Sequence, residues 1–155
     1  MQNEIGDAVF RGMIDREAVR DVLTRYGVSL DNRDWALFKT CFTEDAKAFY
    51  GEEIEGYSAI EKFVSSYEEH IEASQHLISN FVIEIDGDEA RATCYLHAVH
   101  YVANTQGGDT WSVGGYYTDQ LIRTTQGWKI KSLRLTITWV DGNPDLLAAA
   151  QSKGK

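Results

Sequence analysis

The sequence predicts an α+β fold, in which three N-terminal helices pack against a strongly bent antiparallel sheet that forms a cone. Apolar residues recur at helical spacing through the first half of the chain and alternate with polar residues through the second half. The strands of the second half are about twice the usual length of ~5 or 6 residues, and strands of that length bend and coil. Because helices that cover such a sheet enclose an apolar interior, we expect a single two-layer domain with a cavity.

Three helices are predicted before the long strands begin. The first runs from Asp15, its expected N-cap, to about Leu30. The second is short and begins at Trp35, after the possible cap residues 31–34. The third is opened by Ser58-Ala59-Ile60-Glu61, which matches a capping box. The apolar face of the third helix consists of Ile60, Phe63, Val64, Tyr67 and Ile71.

A short strand at Ala46–Tyr50 and a loop or small hairpin at Gly51–Gly56 are predicted before the third helix. Four long strands are predicted after it, and tight turns such as Asp86-Gly87-Asp88 join them. They are the alternating stretch that ends at Asp86 and the ranges Ala90–Ala103, Trp111–Thr124 and Trp128–Val140. We therefore expect one domain over residues 1–155, with a core at about 15–144 and a polar C-terminal tail at 145–155.

Composition and charge argue against several classes of protein. The chain has 15 Lys and Arg against 24 Asp and Glu, a net charge of −9, which repels phosphate backbones and argues against a nucleic-acid partner. No apolar run approaches ~18 residues and residues 1–20 contain no apolar leader, so we expect neither a membrane span nor a secretion signal. Two cysteines are too few for a disulfide framework or a zinc cluster, so a cytoplasmic protein with free thiols is expected.

Histidines are the main candidates for chemistry, since an imidazole is a natural general base near neutral pH. Strand alternation places His100 on a small apolar face that suits a cavity lining, together with Ala92, Cys94, Leu96 and Ala98. His100 could equally be a hydrogen-bonded core residue. The same alternation places His97 on the opposite face, so these two residues do not suit a shared metal ion, and no metal is predicted.

The other two histidines are less well defined by their surroundings. His76 begins a predicted strand, but both alternating faces of that strand contain apolar residues, so the direction of its side chain stays open. A base of this kind needs a partner, usually a carboxylate, and periodicity does not select one from the 24 acidic residues. His70 ends a helical stretch and is expected to be solvated.

An ordered set of short segments carries a resemblance to a known family. The segments are Tyr26, Leu30–Trp35, Phe42–Ala46, Gly56–Ile60, His76–Asn80, Asp86–Ala90, Gly115–Asp119 and Gly127–Ile130. In this order they resemble the SnoaL-like branch of the nuclear transport factor 2-like superfamily, over about Asp15 to Pro144. The resemblance implies the same bent-sheet cone, commonly as a homodimer and sometimes as a trimer.

Within that superfamily the chain is most similar to scytalone dehydratase, bile-acid 7α-dehydratase and hexachlorocyclohexane dehydrochlorinase. The resemblance implies that a His–Asp pair, falling on His76 and Asp31, removes a proton, while His100 and Tyr50 assist. The expected substrate contacts are aromatic or small residues: Tyr26, Trp35, Cys94, Ala98, Trp111 and Tyr117. The cations with which the dehydrochlorinase holds chloride are not reproduced here, which argues against dehalogenation.

The sequence thus predicts a lyase, dehydratase or isomerase that needs no cofactor and abstracts a proton next to a carbonyl of a small, hydrophobic or cyclic substrate. Two alternatives stay open. One is a non-catalytic ligand-binding or assembly module similar to the small subunit of ring-hydroxylating dioxygenases. The other is an enzyme similar to polyketide cyclases, which use an acidic residue as the acid and base.

Overall fold

The computed structural model describes residues 2–153, and side chains within residues 6–149. Four helices and six strands make up this part of the chain. In chain order they are α1 (Gln2–Asn32), α2 (Trp35–Thr40), β1 (Phe42–Phe49), β2 (Glu53–Glu55), α3 (Tyr57–Glu68), β3 (Ala73–Asp86), β4 (Glu89–Tyr101), β5 (Thr110–Thr124), β6 (Gly127–Gly142) and α4 (Leu146–Lys153). The predicted α+β class, with helices against a curled sheet, is confirmed.

All six strands belong to one sheet, in the order β2-β1-β6-β5-β4-β3. The four long strands are antiparallel to their neighbours, as predicted, whereas β1 returns to pair parallel with β6. Register shifts between Ser79 and Val82, between Gly114 and Gly115, and between Gln120 and Leu121 mark irregularities in the ladders. Irregularities of this kind increase local twist and bend a sheet, so they account for its curl around the helices.

The apolar core lies inside the curl of the sheet, where α1 supplies its largest helical share. Val19, Val22, Leu23, Tyr26 and Leu30 recur at helical spacing along α1 and are almost completely buried. They pack against inward residues of the long strands and against the aromatic residues of α2 and β1. Helix α1 therefore packs against the inner face of the sheet. Residues at its C-terminal end lie beside the first residues of β3.

Helix α1 begins well before Asp15, so the prediction of Asp15 as an N-cap is wrong. The carboxylate of Asp15 instead pairs with the guanidinium of Arg123 at 2.8 and 2.9 Å and accepts a hydrogen bond of 3.2 Å from Nε1 of Trp128. These contacts lower the pKa of Asp15 below its ordinary value, Arg123 making the largest contribution. A residue type that caps helices serves here as a tie between a helix and two strands.

The start of α3 also differs from the prediction. The helix begins at Tyr57, its N-cap is Gly56 at φ 86°, and no side chain caps it, so Ser58 does not form the expected capping box. Ile71 lies beyond the end of α3 and packs instead with Val102 and Leu146. The expected cap before α2 is present, because the side chain of Asp34 accepts a hydrogen bond of 2.9 Å from the backbone N–H of Leu37.

The predicted polar tail is wrong in its first part, where α4 forms and Leu146 is fully buried. Asn143 organises the entry to this helix, since its side-chain amide donates to the carbonyls of Gln106 and Gly108 and its carbonyl accepts from the N–H of Asp145. Helix α4 thereby folds back against the open end of the cone. Among residues 2–153, no helix combines the length and apolar character that a membrane crossing needs.

Candidate active site

A cavity of about 240 Å³ lies between the helices and the inner face of the long strands. Its wall is mostly apolar, and its polar side chains fall into a group of acids and histidines and a group of tyrosines. The lining residues are Tyr26, Leu30, Tyr50, Phe63, Val64, Tyr67, Glu68, His76, Leu96, Ala98, His100, Trp111, Val113, Tyr117, Leu135, Ile137 and Leu147. An apolar wall with a few convergent polar groups is the usual composition of a small-molecule site.

The structure brings His76 and Asp31 into direct contact. Nδ1 of His76 lies 2.7 Å from Oδ1 of Asp31, and the backbone N–H of His76 donates to both oxygens of the same carboxylate at 3.1 and 3.0 Å. The His76 side chain is 6 % exposed. Since a carboxylate only accepts hydrogen bonds, Nδ1 carries the proton, and the lone pair of Nε2 is left on the cavity side of the ring.

Burial raises the pKa of Asp31, but the hydrogen bonds from the side chain and backbone of His76, and from Ser74, outweigh that effect and leave the pKa below its ordinary value. Asp31 is therefore ionised at neutral pH. An ionised partner at Nδ1 fixes the orientation of an imidazole and stabilises the imidazolium that forms when Nε2 accepts a proton.

Two local features of the chain create the contact between Asp31 and His76. A Cβ at Gly27 would lie 2.9 Å from Cγ1 of Ile78 and 3.7 Å from Cβ of His76, so this glycine lets β3 approach the last turns of α1. Arg33, at φ 52°, turns the chain directly after α1, and its guanidinium donates to the carbonyls of Glu68 and Ile71. Arg33 thereby ties the end of α1, which holds Asp31, to the end of α3.

His100 faces the cavity from β4, as strand alternation predicts. Its Nδ1 lies 3.3 Å from the carbonyl oxygen of Trp111, and its ring stands perpendicular to that of His76 with 5.5 Å between the centroids. His97 is exposed on the outer face of the sheet against Trp139, and His70 is exposed after the end of α3. Two of the four histidines therefore share the cavity and two lie outside it.

Glu68 completes the polar end of the cavity and was missed by sequence reasoning. It is only 6 % exposed, and its Oε1 lies 3.7 Å from Nε2 of His100 and 4.0 Å from Nε2 of His76. Its Oε2 lies 3.2 Å from the hydroxyl of Ser74, which is also 3.2 Å from Oδ1 of Asp31. We refer to Asp31, Glu68, His76 and His100 as the histidine group.

A signal for Glu68 was present in the sequence. Ile60, Val64 and Glu68 are spaced by four residues, so Glu68 continues the buried face of α3. A glutamate beside a second glutamate at a helix end is usually solvated, so the sequence alone did not indicate that Glu68 is buried in the cavity.

The second polar group consists of Tyr26, Tyr50 and Tyr117, which we call the tyrosine group. The hydroxyl of Tyr26 shares hydrogen bonds of 2.9 Å with Tyr50 and 3.3 Å with Tyr117. Burial is the largest cause that raises the pKa of all three phenols well above the ordinary value, so all three keep their protons. Three hydroxyl protons serve two internal hydrogen bonds, which leaves one proton to donate to a bound molecule.

Asp119, two residues along β5 from Tyr117, is a second buried acid that sequence reasoning did not single out. It is 1 % exposed, and neither carboxyl oxygen has a hydrogen-bond partner among the described residues. Burial raises the pKa of Asp119 well above its ordinary value, and the neighbouring backbone N–H of Arg134 offsets only part of that effect. Asp119 is therefore a neutral acid below the cavity lining.

The remaining predicted contacts divide into two sets. Tyr26, Ala98, Trp111 and Tyr117 lie in the cavity wall, together with the predicted catalytic residues His76, His100 and Tyr50. Trp35 and Cys94 do not line this cavity, so the structure does not bring them together with the other predicted substrate contacts. Trp35 packs edge-on against Phe38 within α2, and Cys94 is buried in the core, where burial raises the pKa of its thiol.

A family model described as a SnoaL-like domain matches residues 11–134 of the chain. "Terrestric acid biosynthesis cluster protein E" of Penicillium crustosum is 31% identical over 137 residues, which cover 83% of this chain and 86% of the relative. The chain therefore belongs to the SnoaL-like domain family, in agreement with the resemblance found in the sequence.

Two solved structures show the same fold. A candidate scytalone dehydratase from Novosphingobium aromaticivorans superposes with a TM-score of 0.78 at 20% identity, over 85% of this chain and 89% of that one. The hexachlorocyclohexane dehydrochlorinase LinA-type3 from Novosphingobium barchaimii superposes with a TM-score of 0.74 at 15% identity, over 85% and 92%. At these identities the likeness establishes the shared architecture, and the chemistry has to be argued from the site.

Proposed function

We propose that the protein is a lyase of the dehydratase type, in which His76 removes a proton next to a carbonyl group of a small cyclic substrate. The observation that carries this proposal is the contact between Nδ1 of His76 and the ionised carboxylate of Asp31, with Nε2 of the same ring directed to an apolar cavity. A base that is oriented by an acid and shielded from water is suited to taking a proton from carbon.

The proposed reaction removes one molecule of water from the substrate. Nε2 of His76 takes the proton from carbon, and the imidazolium is stabilised by Asp31. The developing enolate accepts a hydrogen bond from the tyrosine group, which holds a free phenolic proton. The C–O bond then breaks, and His100, as an imidazolium paired with Glu68, protonates the departing hydroxide.

Glu68 can return the two histidines to their starting states. After the elimination His76 holds the extra proton and His100 has lost one. Because Oε1 of Glu68 lies 4.0 and 3.7 Å from the two Nε2 atoms, small movements carry that proton from His76 through Glu68 to His100. The proton that leaves carbon is thus balanced by the one delivered to water.

The dimensions and charge of the cavity support a compact substrate. A cavity of ~150 Å³ accommodates benzene, so a cavity of about 240 Å³ suits a substrate with one substituted ring. It is too small for the fused-ring substrates expected if the protein were an enzyme similar to polyketide cyclases. No lysine or arginine is among the described residues that line the cavity. This favours the loss of neutral water over the loss of a halide anion.

Proton abstraction can be tested without knowing the leaving group. Small cyclic ketones are incubated with the protein in D₂O, and exchange at the carbon next to the carbonyl is followed by NMR. The wild type should accelerate exchange for at least one ketone, and H76A should abolish the acceleration. H97A is the matched control, since His97 lies outside the cavity. Equal acceleration by H76A and wild type would refute the proposal.

We further propose that the outer face of the sheet is covered by a second copy of the chain. This face exposes the large side chains of Leu77, Tyr95, Tyr101, Tyr116 and Trp139. Apolar patches of this kind mark interaction surfaces, and an identical copy is the simplest cover for one sheet face. Light scattering should report a dimer that W139E weakens. A stable complex with a larger oxygenase chain would favour the assembly-module alternative instead.

A further inference from the structure

We propose that Glu68, His76 and His100 together bind a divalent transition-metal ion such as Zn²⁺. Each residue offers one donor atom, and the three donor atoms all lie within 4.8 Å of one another. The three residues come from α3, β3 and β4, so the cluster depends on the tertiary fold. The strand alternation that argued against His97 and His100 as joint ligands does not apply to this combination.

Both imidazoles present the nitrogen that a metal needs. Nδ1 of His76 faces the Asp31 carboxylate, and Nδ1 of His100 faces the carbonyl oxygen of Trp111. Both partners accept hydrogen bonds, so each Nδ1 carries a proton. The ion would displace the proton that Nε2 of His100 holds in the proposed reaction, and both Nε2 lone pairs would then face the metal. Histidine ligands of metals are oriented in this way, with the second nitrogen held by a carboxylate or a backbone carbonyl.

The spacing of the donor atoms fits an ion better than it fits direct hydrogen bonds. Oε1 of Glu68 lies 3.7 and 4.0 Å from the two Nε2 atoms, beyond the ~2.7–3.2 Å of a hydrogen bond. Tetrahedral zinc with bonds of ~2.0–2.1 Å places its ligand atoms about 3.3 Å apart. Small side-chain rotations therefore close the three donors around an ion.

The arrangement leaves one coordination position toward the cavity. Two histidines and one glutamate with an open fourth position form a known zinc ligand set. The half-buried carboxylate of Asp31 and the buried carboxylate of Glu68 supply the negative charge that compensates the ion. Because the ion takes the Nε2 lone pair that the proposed base uses, metal binding and the proposed elimination exclude each other, and Zn²⁺ should inhibit turnover.

Cobalt is a visible substitute for zinc and provides the test. Metal-free wild-type protein is titrated with Co²⁺ while its visible d–d absorption is recorded. We expect one Co²⁺ per chain, an intense band typical of four-coordinate cobalt, and loss of the band when Zn²⁺ is added. H100A and E68Q should each weaken Co²⁺ binding at least about tenfold.

The chain offers matched controls, because His70 and His97 lie outside the cavity. H70A and H97A should bind Co²⁺ like the wild type, and thermal unfolding of each metal-free variant checks its fold. D31N keeps all three ligands and should weaken binding by about 10–100-fold through the orientation of His76. No band in the wild type, or a band unchanged in H100A and E68Q, would overturn the metal site.

The outcomes for the metal site and for the proposed lyase are separable, since the cobalt titration needs no substrate. If Co²⁺ does not bind but deuterium exchange into the ketone still depends on His76, only the proposal of a metal site is refuted. If Co²⁺ binds but deuterium exchange does not depend on His76, only the proposed lyase function is refuted. Exchange that is abolished by a chelator and restored by Zn²⁺ would contradict the mutual exclusion proposed here.

Discussion

The two polar groups of the cavity differ in protonation: the histidine group contains an ionised carboxylate, whereas the tyrosine group is neutral. In the histidine group, Asp31 is ionised and every side chain faces an opposite charge or a hydrogen-bond partner. In the tyrosine group, burial keeps all three phenols protonated, and nearby Asp119 is neutral and unpaired. One small cavity therefore contains a charged region suited to accepting a proton and a neutral region suited to donating hydrogen bonds.

The largest effect is expected from breaking the charged region at Asp31. D31N removes the negative charge and replaces one accepting oxygen by an NH₂ that only donates, so the tautomer of His76 is no longer fixed, and turnover should fall by about 10³–10⁴-fold, as in other enzymes where an acid orients a histidine. D34N is the matched control, because Asp34 only caps α2 and asparagine caps a helix about as well, so neither turnover nor stability should change much. Steady-state kinetics of both variants make the comparison, and equal turnover would refute the role of Asp31.

A smaller effect is expected from the neutral region. Y50F still leaves one free proton, on the linked pair of Tyr26 and Tyr117, but it removes the Tyr50 hydroxyl that we propose donates to the enolate, so kcat should fall by about 10²-fold with little change in KM. Y57F is the control, since the Tyr57 hydroxyl donates to Glu61 outside the cavity. If Y50F lowers only the affinity for substrate, the tyrosine group binds substrate without stabilising the transition state.

Asp119 should control how stability depends on pH. Its folded-state pKa is raised, so between its ordinary value of 3.8 and that raised value the folded state binds more protons and stability falls as pH rises. The neighbouring Cys94, Tyr50 and Tyr117 stay neutral over this range, since burial raises their pKa values as well.

D119N removes the titrating group, so its free energy of unfolding relative to the wild type should increase as pH rises from 3.8 towards neutrality. This pH dependence should vanish below about pH 3.8, where Asp119 is neutral in both states. Denaturant melts at several pH values measure the effect, with the exposed Asp45 changed to asparagine as the control. A constant difference across pH would contradict the neutral state of Asp119.

The smallest effect is expected at the contact that positions His76. G27A places a Cβ 2.9 Å from Cγ1 of Ile78, so β3 or the Ile78 side chain must shift, at a cost of about 1 kcal/mol. G12A in the same helix meets only the tip of Arg16 and should stabilise the protein slightly. Denaturant melts of both variants test this, and equal stability gains would show that Gly27 is not needed for the close approach.

The sequence predicted those parts of the site that rest on an uninterrupted pattern. β4 alternates without a break from Ala90 to His100, so the inward direction of His100 follows from residue number alone. β3 is broken between Ser79 and Val82, with Asn80 at φ 53°, so the inward residues change from even to odd numbers. That break is why the face of His76 could not be assigned from alternation.

Partners that lie far apart in the chain could not be found from local patterns. Asp31 entered through the family resemblance, while Glu68 and Asp119 were missed because a buried acid is unusual and its burial depends on the tertiary fold. The early start of α1 was missed because apolar residues in its first turns, such as Phe10 and Met13, are exposed and do not form a buried face that helical spacing would indicate. Helix α4 was missed because a short terminal helix is held by packing of Leu146 more than by its own pattern.

The most direct test of the central claim is the protonation state of the His76 ring in the metal-free protein. Nitrogen-15 NMR of histidine-labelled protein distinguishes the two ring nitrogens, and four histidines are few enough to assign by single substitutions. We predict that the neutral His76 ring carries its proton on Nδ1 and that D31N loses this preference. A His76 ring protonated on Nε2, or a mixture unchanged by D31N, would contradict a base steered by Asp31.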